Sequence, residues 1–461
     1  MNLQRFSEMC GGIELHSDAA TLKSKSRDHF WFSPILTEAL EQRRADLVAT
    51  PKNKNQLLQL MRAAVACNVP ITPRGSGTGT FGQAVPMAGG VVIEMSGLNK
   101  MLWHRGSTCR AEAGIVMGAL DQLLQPKGWE LRIHPSTRNS ATLGGFVAGG
   151  HAGIGVINYG ILRDRGNLLG LQVMTAESEP RILEIRGDDI ETVHHAYGVN
   201  GLITEVELPL APAWDWQDVL VSCDDFMATA RLGDALARAN GILKKVVCVN
   251  DWELARHLEP LSALMPEGRP VLITMIARES VEAFKSLLDE HGAQLHFFGP
   301  QGSGPNHEPF FEYTWGHTTM RVLRQLPTVT NLACIFDASC LVESIGRVHA
   351  DIGYEAHLHL EFIRFNGQIN AQAVPLVPYL DREHLADLTS RIESCGARSA
   401  NLHTYLLQNG GMKRIDEAQL AFKRSADPSG LLNPGKIEGY ADVAKVSDRL
   451  NEDIKSSGWA Y

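Results

Sequence analysis

Residues 73–83, PRGSGTGTFGQ, contain Gly77-Thr78-Gly79-Thr80-Phe81-Gly82, which fits G-x-G-x-x-G letter for letter. A dinucleotide fingerprint of that spelling must follow a strand and open a helix, because N–H groups at the helix start hold the pyrophosphate. The neighbours here give another order. Upstream, NKNQLLQLMRAAVAC places Leu57, Leu58, Met61, Ala64 and Val65 on one helical face, and VPIT then forms a short strand into Pro73. Downstream, Pro86, Gly89 and Gly90 forbid a helix before the apolar strand VVIEM at 91–95. Helix, strand, glycine loop, strand is not the order of a nicotinamide-binding βαβ unit. Such a loop can still present consecutive backbone N–H groups to an anion such as pyrophosphate; a plain glycine-rich turn is the alternative.

A chain of 461 residues exceeds one ordinary core, so at least two are expected. Hydrophobic residues at 44%, charged residues at 21%, 43 glycines and 21 prolines describe a globular protein rich in loops. The net charge of -9 is modest and Lys and Arg are scattered singly, which argues against a nucleic-acid partner. No apolar leader and no run of about 18 apolar residues is present, so a soluble, cytoplasmic protein without a membrane span is expected. The eight cysteines, Cys248 among them, are widely spaced without a C-x-x-C pair and read as buried free thiols.

A second glycine-dense segment, HPSTRNSATLGGFVAGGHAGIGVINYG at 134–160, is a weak core but a good surface for a large flat ligand lying close to the backbone. Around it CRAEAG, LLGLQVMTA, RILEI and GLITEVELPL read as strands, and IVMGALDQLLQPKG as an amphipathic helix ended by Pro126 and Gly128. The expected fold class is α+β.

Several pieces, in this order, carry a resemblance that spacing alone does not supply: ATPKNKNQLLQLMRAAVACNVPITPRGSGTG, GGVVIEMSGLNKM, EAGIVMGALDQLLQPKGWEL, HPSTRNSATLGGFVAGGHAGIGVINYGILRD, GVNGLITEVELPL and DPSGLLNPGKIEGY. The chain resembles flavoproteins of the p-cresol methylhydroxylase (PCMH) and vanillyl-alcohol oxidase (VAO) superfamily. Within it, the branch of glycolate oxidase flavin subunits, D-lactate dehydrogenases and alkyl-dihydroxyacetone-phosphate synthase is the more similar. The resemblance implies a noncontiguous PCMH/VAO-type FAD-binding domain of two α+β subdomains, residues 1–212 with a return at 416–461. Between them, 213–415 would form a cap domain of antiparallel sheet flanked by helices.

By position, the resemblance implies that the backbone of Arg74, Gly75, Ser76, Gly77, Thr78 and Gly79 cradles the FAD pyrophosphate. It implies that Pro135, Ser136, Thr142, Gly144, Gly145, Gly149, Gly153 and Gly155 line the flavin and its ribityl chain, and that Ile203 meets the adenosine end. Asn433 and Lys436, within NPGK, would close over the isoalloxazine. Members that hold FAD covalently use a His in the first glycine loop, where this chain has Thr78; non-covalent FAD is expected, with a cap-domain His as the remaining covalent route.

In the cap, KKVVCVN, RPVLITMIA, AQLHFFG, LACIFDA and EAHLHLEFIRF read as strands, FMATARLGDALARAN and SVEAFKSLLDEHG as helices. In EAHLHLEFIRF the period of two puts His357, His359 and Glu361 on one face, opposite Leu358, Leu360 and Phe362; that polar face suits solvent, a metal or a substrate. Hydroxy-acid dehydrogenases of the branch read G-D-G-N-L-H here, His359 matching the last His, on a strand that in some relatives helps form a divalent-metal site. Ile352 stands where another His is expected, and Leu402 replaces the Glu of E-H-G-x-G beside His403. No metal is therefore expected, and His403 is expected to act as a proton acceptor. The segment FFEYTWGHTTMRVLR at 310–324, with Tyr313, His317, Thr318, Thr319, Arg321 and Arg324, reads as a substrate-gripping helix or a solvated one.

The resemblance then implies an oxidoreductase. His403, His359 or His317 takes the hydroxyl proton of a 2-hydroxy acid or alcohol while hydride passes to flavin N5, and Arg364, Arg321 or Arg398 clamps a carboxylate. An aryl or alkyl alcohol substrate, a synthase without net oxidation and an electron-relay subunit are the alternatives. The expected partners are a small-molecule substrate and a second copy in a homodimer; the electron acceptor is open.

Overall fold

The computed structural model describes residues 1–150 and 152–438; of the expected C-terminal return, residues 439–461 lie outside the described residues. Helix Lys54–Cys67 starts where the Asn53 side chain accepts from Gln56 N–H and ends at Asn68, left-handed with φ 51. Its buried stripe runs through Leu57, Leu60, Met61, Ala64 and Cys67; Leu58 and Val65, expected on that face, are only half buried. The helix connects strands Leu47–Thr50 and Ile71–Arg74, which lie parallel on either side of Val91–Glu94. Glu14–His16 adds antiparallel at one edge. At the other edge the C-terminal return arrives: Ile71 N donates to Leu431 O at 2.8 Å and Asn433 N to Ile71 O at 2.7 Å.

The second subdomain is an antiparallel sheet ordered Met101–Arg105, Thr108–Glu112, Leu202–Pro212, Gly170–Met174, Ile182–Ile185, with Trp129–Leu131 paired to the end of Leu202–Pro212. Helix Met117–Leu124 and segment Leu143–Gly149 bury Leu120, Leu124 and Val147 against Leu171, Val173 and Val206. The two α+β subdomains are those expected.

Eight further strands form one antiparallel sheet, ordered Gln294–Pro300, Trp216–Ser222, Val271–Ala277, Lys244–Asn250, His359–Phe365, Gln368–Ala373, Ala333–Phe336, Ala397–Ala400, and Val329–Asn331 pairs separately with Leu376–Pro378. Side-chain alternation turns Val247, Val249, Leu360 and Phe362 toward helices Phe226–Arg238, Leu341–Ile352 and Arg382–Ser394. The opposite face, with Leu220, Cys248, Ile273 and Met275, is covered by Phe310, Phe311 and Tyr313 and by Val322 and Leu323 of helix Gly316–Gln325. Glu361 pairs in register with Cys248 and so shares this covered face. A polar strand side that alternation alone allowed to be solvent-facing is interior.

A buried ion pair ties the sheets together: Lys245 Nζ donates to Glu130 Oε2 at 3.0 Å, and Trp216 Nε1 donates to Glu130 Oε1 at 3.1 Å. All eight cysteines are free, six of them buried. Among the described residues no helix is long and apolar enough to cross a membrane.

Candidate functional site

The two glycine segments meet across one cleft. Gly75 lies so close to Thr142 that a Cβ there would overlap Thr142 Oγ1. Gln83, directly after the first motif, sends Nε2 to Gly149 O at 3.1 Å. Gly77 holds φ +71 with the Arg74 guanidinium where a Cβ would sit, so neither the backbone nor the space admits a side chain. The cavity, about 320 Å³, lies at the lower end of the size of small-molecule sites. Its wall includes Arg74, Gly75, Ser76, Gly77, Thr78 and Gly79 from the first segment, and Pro135, Ser136, Thr142, Gly144, Gly145, Gly149 and Gly153 from the second, with Ile203.

The chemistry of this wall fits a flavin dinucleotide. Among the described residues the backbone N–H groups of residues 75–80 donate to no backbone acceptor, which leaves a run of donors for an anion. Arg74 is buried, donating to Arg27 O and, at 3.2 Å, to Ser76 O, which fixes the loop; burial lowers its pKa. The side-chain-poor second segment and Ile203 leave room for a flat ring.

Three residues expected at the ligand lie behind the wall. Gly155, φ +97, packs where a Cβ would overlap Arg132 O, and its N–H donates to Lys245 O at 3.0 Å. Asn433 Nδ2 donates to Gln83 O at 2.8 Å and Tyr197 O at 2.7 Å, and Lys436 Nζ to Gly82 O at 2.6 Å. Both are fully buried, so NPGK braces the glycine loop from its far side. Burial pushes the Lys436 ammonium down and the Asp28 carboxyl up, each limited by the other's charge.

From the cap, Trp315, His317, Met320, Asn331, Gln372 and Leu402 complete the cleft. His317 sits in the first turn of helix Gly316–Gln325, its Nδ1 2.7 Å from Glu312 Oε2. The other expected catalytic residues are elsewhere. His403 is buried behind Leu402 with Nδ1 2.8 Å from Ser33 Oγ, and burial lowers its pKa to about 4. His359 is fully buried with Nε2 2.7 Å from Glu361 Oε1. His357 lies 3.9 Å from Asp251 Oδ2, outside the cleft. Tyr313 is buried and donates to Glu308 Oε2 at 2.7 Å, under the Arg321 guanidinium.

None of the three arginines expected to clamp a carboxylate lines the cleft. Arg364 donates to Ile157 O, Gly367 O and Asn240 Oδ1; Arg321 to Glu308 and two backbone carbonyls; Arg398 to Asp337. Their charge is already used, which removes the reason for assigning them to a substrate. Sequence reading missed His29, whose N–H donates to Gly79 O at 2.7 Å and which lines the cleft, and Trp315, whose positive φ of 55 has no signature in sequence.

Residues 45–183 match the FAD binding domain family. The chain is 29% identical over 232 residues to an uncharacterized FAD-linked oxidoreductase of Mycobacterium tuberculosis, covering 48% of each protein. It is 29% identical over 205 residues to the glycolate oxidase subunit GlcD of Escherichia coli, covering 43% of this chain and 41% of GlcD. It therefore spans about half the length, or less, of these relatives. Over 438 residues it is 25% identical to mitochondrial D-2-hydroxyglutarate dehydrogenase of Arabidopsis thaliana, covering 85% of this chain and 74% of that protein. An alkyldihydroxyacetonephosphate synthase structure superposes with a TM-score of 0.71 at 16% identity, over 95% of this chain and 85% of that one, and so shares the fold. Cleft, sequence and fold agree: residues 45–183 form an FAD binding domain, in a chain that shares the fold of an alkyldihydroxyacetonephosphate synthase.

Proposed function

We propose that the protein is an FAD-dependent oxidoreductase acting on a CH–OH group, with residues 1–212 and the return from 416 holding a non-covalent FAD and residues 213–415 capping it. The single observation that carries the reading is the placement of His317, backed by Glu312, on the cap wall of the glycine-lined cleft. Bound there, FAD supplies the acceptor for a hydride. The amides of residues 75–80 hold its pyrophosphate. The Glu312 carboxylate, 2.7 Å from His317 Nδ1, stands as a charge partner for the imidazolium that forms when Nε2 takes the substrate hydroxyl proton. Trp315, Met320 and Leu402 exclude water around the reacting carbon. This assignment replaces His403, whose ring is turned to Ser33 and held neutral.

Engagement of all three arginines elsewhere favours an aryl or alkyl alcohol over a 2-hydroxy acid as substrate. The opposing reading, a 2-hydroxy acid, is supported by the alignment over 85% of the chain to a D-2-hydroxyglutarate dehydrogenase. Anaerobic mixing of the holoprotein with panels of both classes separates them. Bleaching of the flavin by alcohols alone supports the first reading, bleaching by hydroxy acids alone the second, and bleaching by neither refutes CH–OH oxidation.

A further inference from the structure

Residues 27–33 stitch the glycine loop to the cap. The Arg27 carbonyl accepts from the Arg74 guanidinium, the Asp28 carboxylate accepts from Phe30 N at 3.0 Å and Ala84 N at 3.4 Å, and His29 N donates to Gly79 O at 2.7 Å. On the cap side Thr330 Oγ1, in strand Val329–Asn331, donates to Phe32 O at 2.9 Å, and Ser33 Oγ lies 2.8 Å from His403 Nδ1. The backbone of His29 is thereby fixed where loop and cap meet, and its half-buried side chain lines the cleft.

The ring itself is uncommitted. Among the described residues it makes no hydrogen bond, and its neighbours are the rings of Phe32, near-parallel at 6.3 Å between centroids, and Trp31 at 6.1 Å. His317 enters the same cleft from the cap, close enough for its charge to act on His29. Burial, then the charges of Arg74 and His317, push the His29 imidazole below its ordinary value, so it stays neutral when His317 takes up a proton. The adjacent Asp28 carboxylate is turned to the amides of Phe30 and Ala84 and not to the ring. The two histidines thus differ in surroundings: Glu312 is a charge partner for His317, and no carboxylate contacts His29.

We propose that His29 is a second catalytic histidine, donating its ring N–H to the substrate oxygen while His317 removes the hydroxyl proton. The inference rests on the reaction proposed above. In that step the O–H bond breaks toward His317 Nε2, the C–H hydrogen leaves with its electron pair for the flavin, and the carbonyl forms. His29 keeps its proton throughout. A neutral imidazole has one N–H to offer, and a donor already in place stabilises the negative charge that grows on the oxygen without reorganising.

The test compares His29→Leu and His29→Gln with unmodified FAD-loaded protein by stopped-flow reduction, using a substrate that bleaches the flavin. His29→Leu should lower the limiting rate about 10- to 100-fold, the worth of one hydrogen bond to a charged group, with little change in KM. FAD affinity should not change, because the contact to Gly79 is made by the backbone. His29→Gln keeps a side-chain N–H and should recover part of the rate. His317→Gln is measured alongside: if it reduces as fast as unmodified protein, the proposed reaction fails and this inference with it. If it is slow while His29→Leu stays within about threefold of unmodified protein, this inference alone fails. A second readout needs no substrate: the His29 ring proton resonance, identified by its loss in His29→Gln, should titrate below 6.5 and move upward in His317→Gln. No upward move overturns the proposal, as does a loss in His29→Leu that falls on FAD affinity alone, which would put the ring on the cofactor.

Discussion

Gly75→Ala probes the junction of the two glycine segments with a single methyl group. Gly75 has no positive φ, so alanine fits the backbone there and only space opposes it. The new methyl would overlap Thr142 Oγ1, which accepts from Gly145 N at 3.3 Å and caps segment Leu143–Gly149. Turning Thr142 away loses a cap of about 0.5–2 kcal/mol, and the crowding adds about 1–3 kcal/mol. If the loop shifts instead, one phosphate-directed amide is misplaced, a loss of about 1.5–3 kcal/mol for a charge-assisted bond. Each 1.4 kcal/mol is tenfold, so FAD should bind roughly 10- to 100-fold more weakly. The assay is titration of deflavinated protein with FAD, following quenching of flavin fluorescence. Gly241→Ala, where a Cβ meets nothing within 4 Å, should leave affinity unchanged. Adding Thr142→Ala to Gly75→Ala clears the overlap and should recover part of the loss. Affinity of Gly75→Ala within about threefold of the parent would mean that this junction does not shape the ligand site.

His317→Gln should lower the rate of flavin reduction by about 10²- to 10⁴-fold with FAD content unchanged, and Glu312→Gln by less; stopped-flow reduction with the substrate found in the panel checks both. Lys245→Met should destabilise the protein by about 3–5 kcal/mol in urea melts, since it leaves Glu130 buried and unpaired, and adding Glu130→Gln should restore much of that. His403 is neutral in the fold with a pKa near 4 against 6.5 when exposed. Its contribution is therefore complete above pH 6.5 and is lost as pH falls toward 4, up to about 3 kcal/mol. His403→Gln should flatten that acid limb of the stability curve, and an unchanged slope would show that His403 does not titrate there.

What was legible in the sequence is what is local. Strand alternation in KKVVCVN and RPVLITMIA and helical spacing in FMATARLGDALARAN gave elements that the structure contains, because each pattern spans one element. The glycine segments were legible for the same reason, and the mismatch between motif and neighbours already pointed away from a nicotinamide fold. The period of two correctly grouped His359 with Glu361, yet it could not say that segment 310–325 would cover that face or that Cys248 would stand opposite. Motif letters likewise do not say on which side of a loop a residue lies, and Lys436 sits behind its loop while Ser76 lines the cleft. The order of preference among His403, His359 and His317 rests on matched letters; burial of His403 and His359, which only the folded chain supplies, is the reason the proposal puts His317 first.

The flavin content of untagged protein, measured as purified and after incubation with FAD, bears most directly on the central claim that the glycine-lined cleft is a flavin site. The account predicts a yellow protein that reaches about one FAD per chain, releases it on denaturation, and takes up no NAD in its place. Colourless protein that refuses added FAD would contradict it.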